Sequence, residues 1–143
     1  MSVLTVESLL GGASVLKRKL RSNLDWVALI RHGIPASAMD YLIKPLRLTQ
    51  AELAVVLGIP ERTLARRKKE GMFTADESAK LVRLARIVRR AQEVFEGLEP
   101  AIDWLKSPNR TLGGQLPLSL LDTDIGAESV MDALGRIEHG VFA

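Results

Sequence analysis

The side chains with the most chemistry to offer in this chain are three cations on a helical spacing. Arg62, Arg66 and Lys69 stand at i, i+4 and i+7, which places them on one face of a helix. An arginine presented this way can donate two parallel hydrogen bonds to a guanine edge, or pair with phosphate. Thr63, next to Arg62, joins them as a candidate reader. Gln50, at the start of the preceding predicted helix, suits holding a phosphate near that helix's positive end. Arg67 and Lys68 fall nearer the apolar Leu64 side and are assigned to backbone or solvent.

Catalytic chemistry finds little support. There is no cysteine, so disulfides, thiolate metal sites and cysteine nucleophiles are excluded. The two histidines, His32 and His139, lie far apart and in no paired metal-ligand pattern. No Gly-x-x-x-x-Gly-Lys phosphate loop occurs, and no Ser, His and carboxylate spacing suggests a triad or an acid–base pair. The expectation is a non-enzyme with no metal and no cofactor.

The elements that must carry the three cations are local and specific. Thr49 and Glu52 have capping-box spacing, and Leu53 and Leu57 lie one turn apart. Ala54 is small, as two closely crossing helices require. Gly58 falls where a tight turn favours a positive φ, and Ile59 and Leu64 close the small core from the second helix. This predicts a helix-turn-helix over about 48–70. One such unit reads only a half-site of operator DNA, so a homodimer, or an assembly that presents two copies, is expected.

Around this unit the chain reads as all-α. It is 47% hydrophobic but only 4% aromatic, so the core must be built from Leu, Ile, Val and Ala, and little of the sequence alternates as strands do. Asn23–His32 predicts a helix with an apolar stripe of Leu24, Val27, Ala28 and Ile30, ended by Gly33. Pro35 is placed at the first residue of the next helix and Pro45 at its end. Thr74-Ala75-Asp76-Glu77 is a second capping box, opening a long helix with Leu81, Leu84, Ala85, Val88, Ala91 and Phe95 on one face. Its basic run of Lys80, Arg83, Arg86, Arg89 and Arg90 is read as a solvated face.

Near Gly97 the character shifts, dividing the chain into 1–96 and 97–143. Pro100 and Pro117 are taken to open short helical turns, and Val130, Leu134, Ile137 and Val141 mark one face of a last helix. Charge shifts too. Residues 1–43 carry net +2, residues 44–96 net +5 and residues 97–143 net −4, which suggests two partners of different kind, the middle one a polyanion. No apolar run approaches the roughly 18 residues of a membrane helix, and a cytoplasmic protein is expected.

The tail contains Trp104-Leu105, Pro108-Asn109, Leu112-Gly113-Gly114, Pro117-Leu118-Ser119-Leu120-Leu121 and Arg136-Ile137-Glu138-His139-Gly140-Val141. In this order and spacing the string resembles the C-terminal toxin-binding domain of the Xre/MbcA/ParS antitoxins, with an Xre-like helix-turn-helix in front of it as in that family. The resemblance implies a RES-domain toxin as partner, one that consumes NAD or transfers ADP-ribose, with its active-site entrance covered by the antitoxin's C-terminal region. It also implies repression of the protein's own operon. On this basis Arg136, Glu138, His139, Gly140 and Val141 form an inhibitory segment, and Asn109, Leu112 and Gly113 a toxin-facing loop. Two other readings compete: a plain homodimeric regulator whose C-terminal part only dimerises, and an antitoxin whose helix-turn-helix no longer binds DNA.

Overall fold

The computed structural model describes residues 4–140, and Val141 of the expected inhibitory segment lies outside them. Among the described residues the architecture is helical, in the order α1 (Val6–Leu9), α2 (Ala13–Leu16), α3 (Asn23–His32), α4 (Ala38–Leu46), α5 (Gln50–Leu57), α6 (Glu61–Glu70), α7 (Ala75–Phe95), α8 (Leu98–Leu105) and α9 (Asp124–Glu138). Two 3₁₀ turns, Arg110–Leu112 and Pro117–Leu120, link α8 to α9. Among the described residues extended pairing is limited to isolated bridges, Pro35 with Met72 and Asn109 with Gln115. The all-α expectation holds.

Four helices start on reciprocal caps. Thr49 accepts from the amide of Glu52 at 3.1 Å while Glu52 accepts from the amide of Thr49 at 2.8 Å. Thr74 and Glu77 repeat the arrangement at the head of α7. Thr5 with Ser8 and Ser22 with Asp25 do the same for α1 and α3, two boxes that use shorter partners than Glu and escape a search for the usual pattern.

α7 is the axis of the molecule. It packs against α1, α3, α5, α8 and α9. Leu81, Leu84, Ala85, Val88 and Ala91 are buried there, and each leucine so covered contributes about 1.5–3 kcal/mol of transfer free energy. Buried residues from α1 through α9 form one apolar cluster. Two polar side chains lie inside it. Ser78 accepts from the Ile34 amide at 2.8 Å. Gln92 both accepts from the amide and donates to the carbonyl of Leu4, at 3.1 and 3.2 Å, so the amino-terminal segment is tied to α7 like a strand to its neighbour.

Several local expectations change in the tertiary context. The Leu24, Val27 and Ala28 stripe of α3 faces outward, with Leu24 78% exposed, while Leu29 is the buried residue and Trp26 and Ile30 are half-covered. α4 begins at Ala38, three residues after Pro35, because Pro35 is held by its bridge to Met72 and starts a turn. Pro45 lies inside the last turn of α4, which continues to Leu46 and ends on Arg47 in the left-handed conformation. α8 starts at Leu98, so Pro100 sits within its first turn, where a missing amide costs little.

Candidate functional site

The second helix of the predicted unit, α6, follows α5 after a turn in which Gly58 has φ 67°. Leu53, Ala54, Leu57, Ile59 and Leu64 are all buried between the two, as the motif requires. The outer face of α6 carries Arg62, Arg66 and Lys69, all exposed, with Thr63 half-buried beside them. Among the described residues Arg62 and Lys69 have no ion-pair partner, and Arg66 has only a long 3.9 Å contact with Glu70. Gln50 is half-buried as the first residue of α5, where free amides cluster. The outer face of α6 is therefore cationic and exposed, backed by an apolar core.

Arg67 behaves differently from its sequence assignment. It is largely buried and grips Glu77 through two bonds of 2.7 and 3.1 Å, while also donating to Glu70 at 2.8 Å. Contacts with Glu77 and Glu70 raise the guanidinium's pKa further. Burial by itself would raise the Glu77 carboxyl, but the Arg67 hydrogen bonds and the Thr74 amide outweigh it and hold the group below the usual carboxylate range. Glu77 thus caps α7 and clamps α6 to it. Lys68 is likewise engaged, with Asp40 of α4 at 3.3 Å.

The basic run of α7 is not a plain solvated face. Arg83 donates to the Leu121 carbonyl at 2.9 Å and pairs with Asp124. Arg90 holds Glu138, and Arg89 pairs with Glu93 within the helix. Arg86 remains exposed and without a partner among the described residues. Part of the charge contrast between the middle and the tail is therefore neutralised inside the fold, since Arg47 also meets Asp103 at 3.1 Å.

The tail residues gather around α9. Asn109 caps the first 3₁₀ turn by accepting from the amide and hydroxyl of Thr111, at 2.9 and 2.6 Å. Leu112 is half-buried, Gly113 is exposed with φ 68°, and this turn packs against α9. Arg136, His139 and Gly140 are exposed at the far end of α9. Glu138 is committed to Arg90, whose hydrogen bonds lower its pKa, and the Arg90 guanidinium is raised in return. Phe95 and Trp104 rings lie 5.6 Å apart and close the base of this half. Gly126 is the position with no alternative: a Cβ there would lie 1.8 Å from the Leu120 carbonyl oxygen, so only glycine lets α9 start this close to the second 3₁₀ turn. That turn also packs on α5, and Asp122 lies 3.1 Å from where a Gly58 Cβ would be. The tail half and the helix-turn-helix are thus in direct contact. Arg67, Arg83 and Arg90 are the positioning residues that sequence reasoning missed, because their partners lie 10, 41 and 48 positions away.

Residues 25–86 match the Antitoxin Xre-like helix-turn-helix domain, and residues 90–140 match the Antitoxin Xre/MbcA/ParS C-terminal toxin-binding domain. The chain is 38% identical over 116 residues to Antitoxin Xre of Yersinia enterocolitica serotype O:8, covering 80% of this chain and 78% of that one. It is 37% identical over 118 residues to Antitoxin Xre of Photorhabdus laumondii, covering 81% and 80%. A crystal structure of the M. tuberculosis MbcT–MbcA toxin–antitoxin complex contains a chain that superposes with a TM-score of 0.54 at 25% identity, covering 76% of this chain and 96% of that one. The two family matches together span most of the chain, and the chain belongs to the Xre/MbcA/ParS family of antitoxins.

Proposed function

We propose that this antitoxin neutralises a RES-domain toxin, one that degrades NAD or transfers ADP-ribose, by laying its C-terminal region over the toxin's active-site entrance. In the same reading α6 binds operator DNA and the protein represses its own operon in the cytoplasm. The observation that carries both halves is their presence in one molecule: an exposed cationic face on α6, and an exposed end of α9 within the toxin-binding domain match. Arg136, His139 and Gly140 are the toxin contacts of choice, with Gly113 on the neighbouring turn. Glu138 acts through Arg90 rather than as a free contact.

The protein works as a homodimer, because one helix-turn-helix reads a half-site. The exposed Leu24, Val27 and Ala28 stripe on α3 supports a second copy as its cover. Leu24→Asp with Val27→Asp should then shift sedimentation from dimer to monomer.

The test of the central reading is capture of partners from the native host with full-length bait, beside a bait carrying Arg136→Ala and His139→Ala. A stoichiometric partner held by the first and lost by the second, and able to consume NAD when isolated, is the expected result. Equal retention by both baits would remove the tail from the interface. Retention of DNA with no protein partner, while the toxin is expressed, would favour the plain regulator. Point variants serve better than truncation after Glu96, because removing α8 and α9 would bare the apolar face of α7.

A further inference from the structure

A run of four cations precedes α3, outside both family matches. Lys17, Arg18, Lys19 and Arg21 are all exposed, and none has an ion-pair partner among the described residues. The nearest acid in sequence, Asp25, spends its carboxylate on the amides of Arg21 and Ser22, at 2.8 and 3.1 Å. Four like charges within five residues repel one another, and a polyanion relieves that repulsion.

Two of the four share a cleft with the loop that follows α6. Lys17 and Arg18 line an open cleft of about 510 Å³ together with His32, Ser37 and Met72. Met72 stands two residues past the end of α6. Its loop is stitched to the segment before α4 by Ala36 N–H to the Gly71 carbonyl at 2.8 Å and Phe73 N–H to the Ile34 carbonyl at 2.9 Å. Lys17 and Arg18 therefore face the same cleft as the loop that leaves the Lys69 end of α6. A helix lying in the major groove, about 12 Å wide, is flanked by phosphate rows on both sides. Cations beside its end suit such a row.

We propose that Lys17, Arg18, Lys19 and Arg21 form a phosphate clamp, holding the DNA backbone beside the groove that α6 reads, without regard to sequence. This rests on the reading of α6 as a DNA-binding helix.

The test compares the parent chain with the variant Lys17→Gln, Arg18→Gln, Lys19→Gln, Arg21→Gln. Affinity is measured for a duplex from upstream of its own gene and for an unrelated duplex of equal length, between roughly 50 and 200 mM salt. The slope of log affinity against log salt should flatten by about 2–4, near 0.9 for each phosphate that the protein no longer neutralises. Affinity should fall about equally for the two duplexes. An unchanged slope beside a binding parent overturns the clamp and leaves the α6 reading intact. A loss confined to the upstream duplex also overturns it, since these residues would then read sequence. A parent that binds neither duplex overturns the α6 reading and the clamp with it. Melting temperature confirms folding, and Lys17→Gln with Arg18→Gln, expected to give about half the slope change, serves if the fourfold variant is unfolded. Weakened toxin capture with unchanged DNA affinity overturns the proposal in favour of a protein contact.

Discussion

Arg90 and Glu138, 48 positions apart, meet through two parallel hydrogen bonds of 2.8 and 2.7 Å. The pair is partly exposed, with side-chain exposures of 24% and 39%, so its effect on global stability is small. Its effect on geometry is larger, because a two-pronged contact fixes the end of α9 against α7. Arg90→Ala should lower neutralising potency in a toxin-titration assay while leaving melting nearly unchanged. Glu138→Ala should match it, and the double variant should be no worse than either. A Glu138→Ala loss well beyond that of Arg90→Ala would show Glu138 touching the toxin itself.

Acid should loosen the molecule at two joints. Glu77 and Glu138 are both held below the usual carboxylate range in the fold. A carboxylate depressed on folding stabilises the native state above its unfolded pKa, and that contribution is lost as pH falls through the folded value. Melting temperature should therefore drop below about pH 4.5, and less steeply in Glu77→Gln, which starts lower at neutral pH. An acid limb as steep in Glu77→Gln as in the parent would remove the clamp from the account.

Arg62→Ala and Arg66→Ala remove exposed side chains from α6, so melting should stay put. Operator affinity should fall about 10- to 100-fold for each residue that contacts a base. Arg67→Met should also weaken DNA binding, although Arg67 does not face outward, because α6 loses its clamp to α7. Unlike the first two, it should lower the melting temperature. Quantitative duplex binding beside thermal melts separates the two behaviours.

Gly126→Ala must displace the Leu120 carbonyl or the start of α9, at a cost of about 1–3 kcal/mol or more. Gly113→Ala meets nothing within 4 Å and bears only its positive φ, about 1 kcal/mol. Chemical denaturation should rank the two in that order. Similar losses would mean that the backbone at Gly126 shifts easily.

Whatever three or four neighbouring residues can decide was legible ahead of the fold. Thr49 with Glu52, Thr74 with Glu77 and Gly58 at its positive φ locate the helix-turn-helix and the long helix within a residue of where they stand, because capping bonds and glycine's missing Cβ act within one turn. The cations of α6 were legible for the same reason, since helical spacing alone sets their shared face. Tertiary structure decided whatever depends on which neighbour covers which face. Nothing near Leu24 or Val27 in sequence says that α3 turns them outward, nor that Arg83 and Arg90 meet carboxylates from α9. Those outcomes follow from the packing of α3 and α9 on α7, where an apolar stripe and a basic one are each assigned to contact or to solvent by geometry that only the folded chain contains.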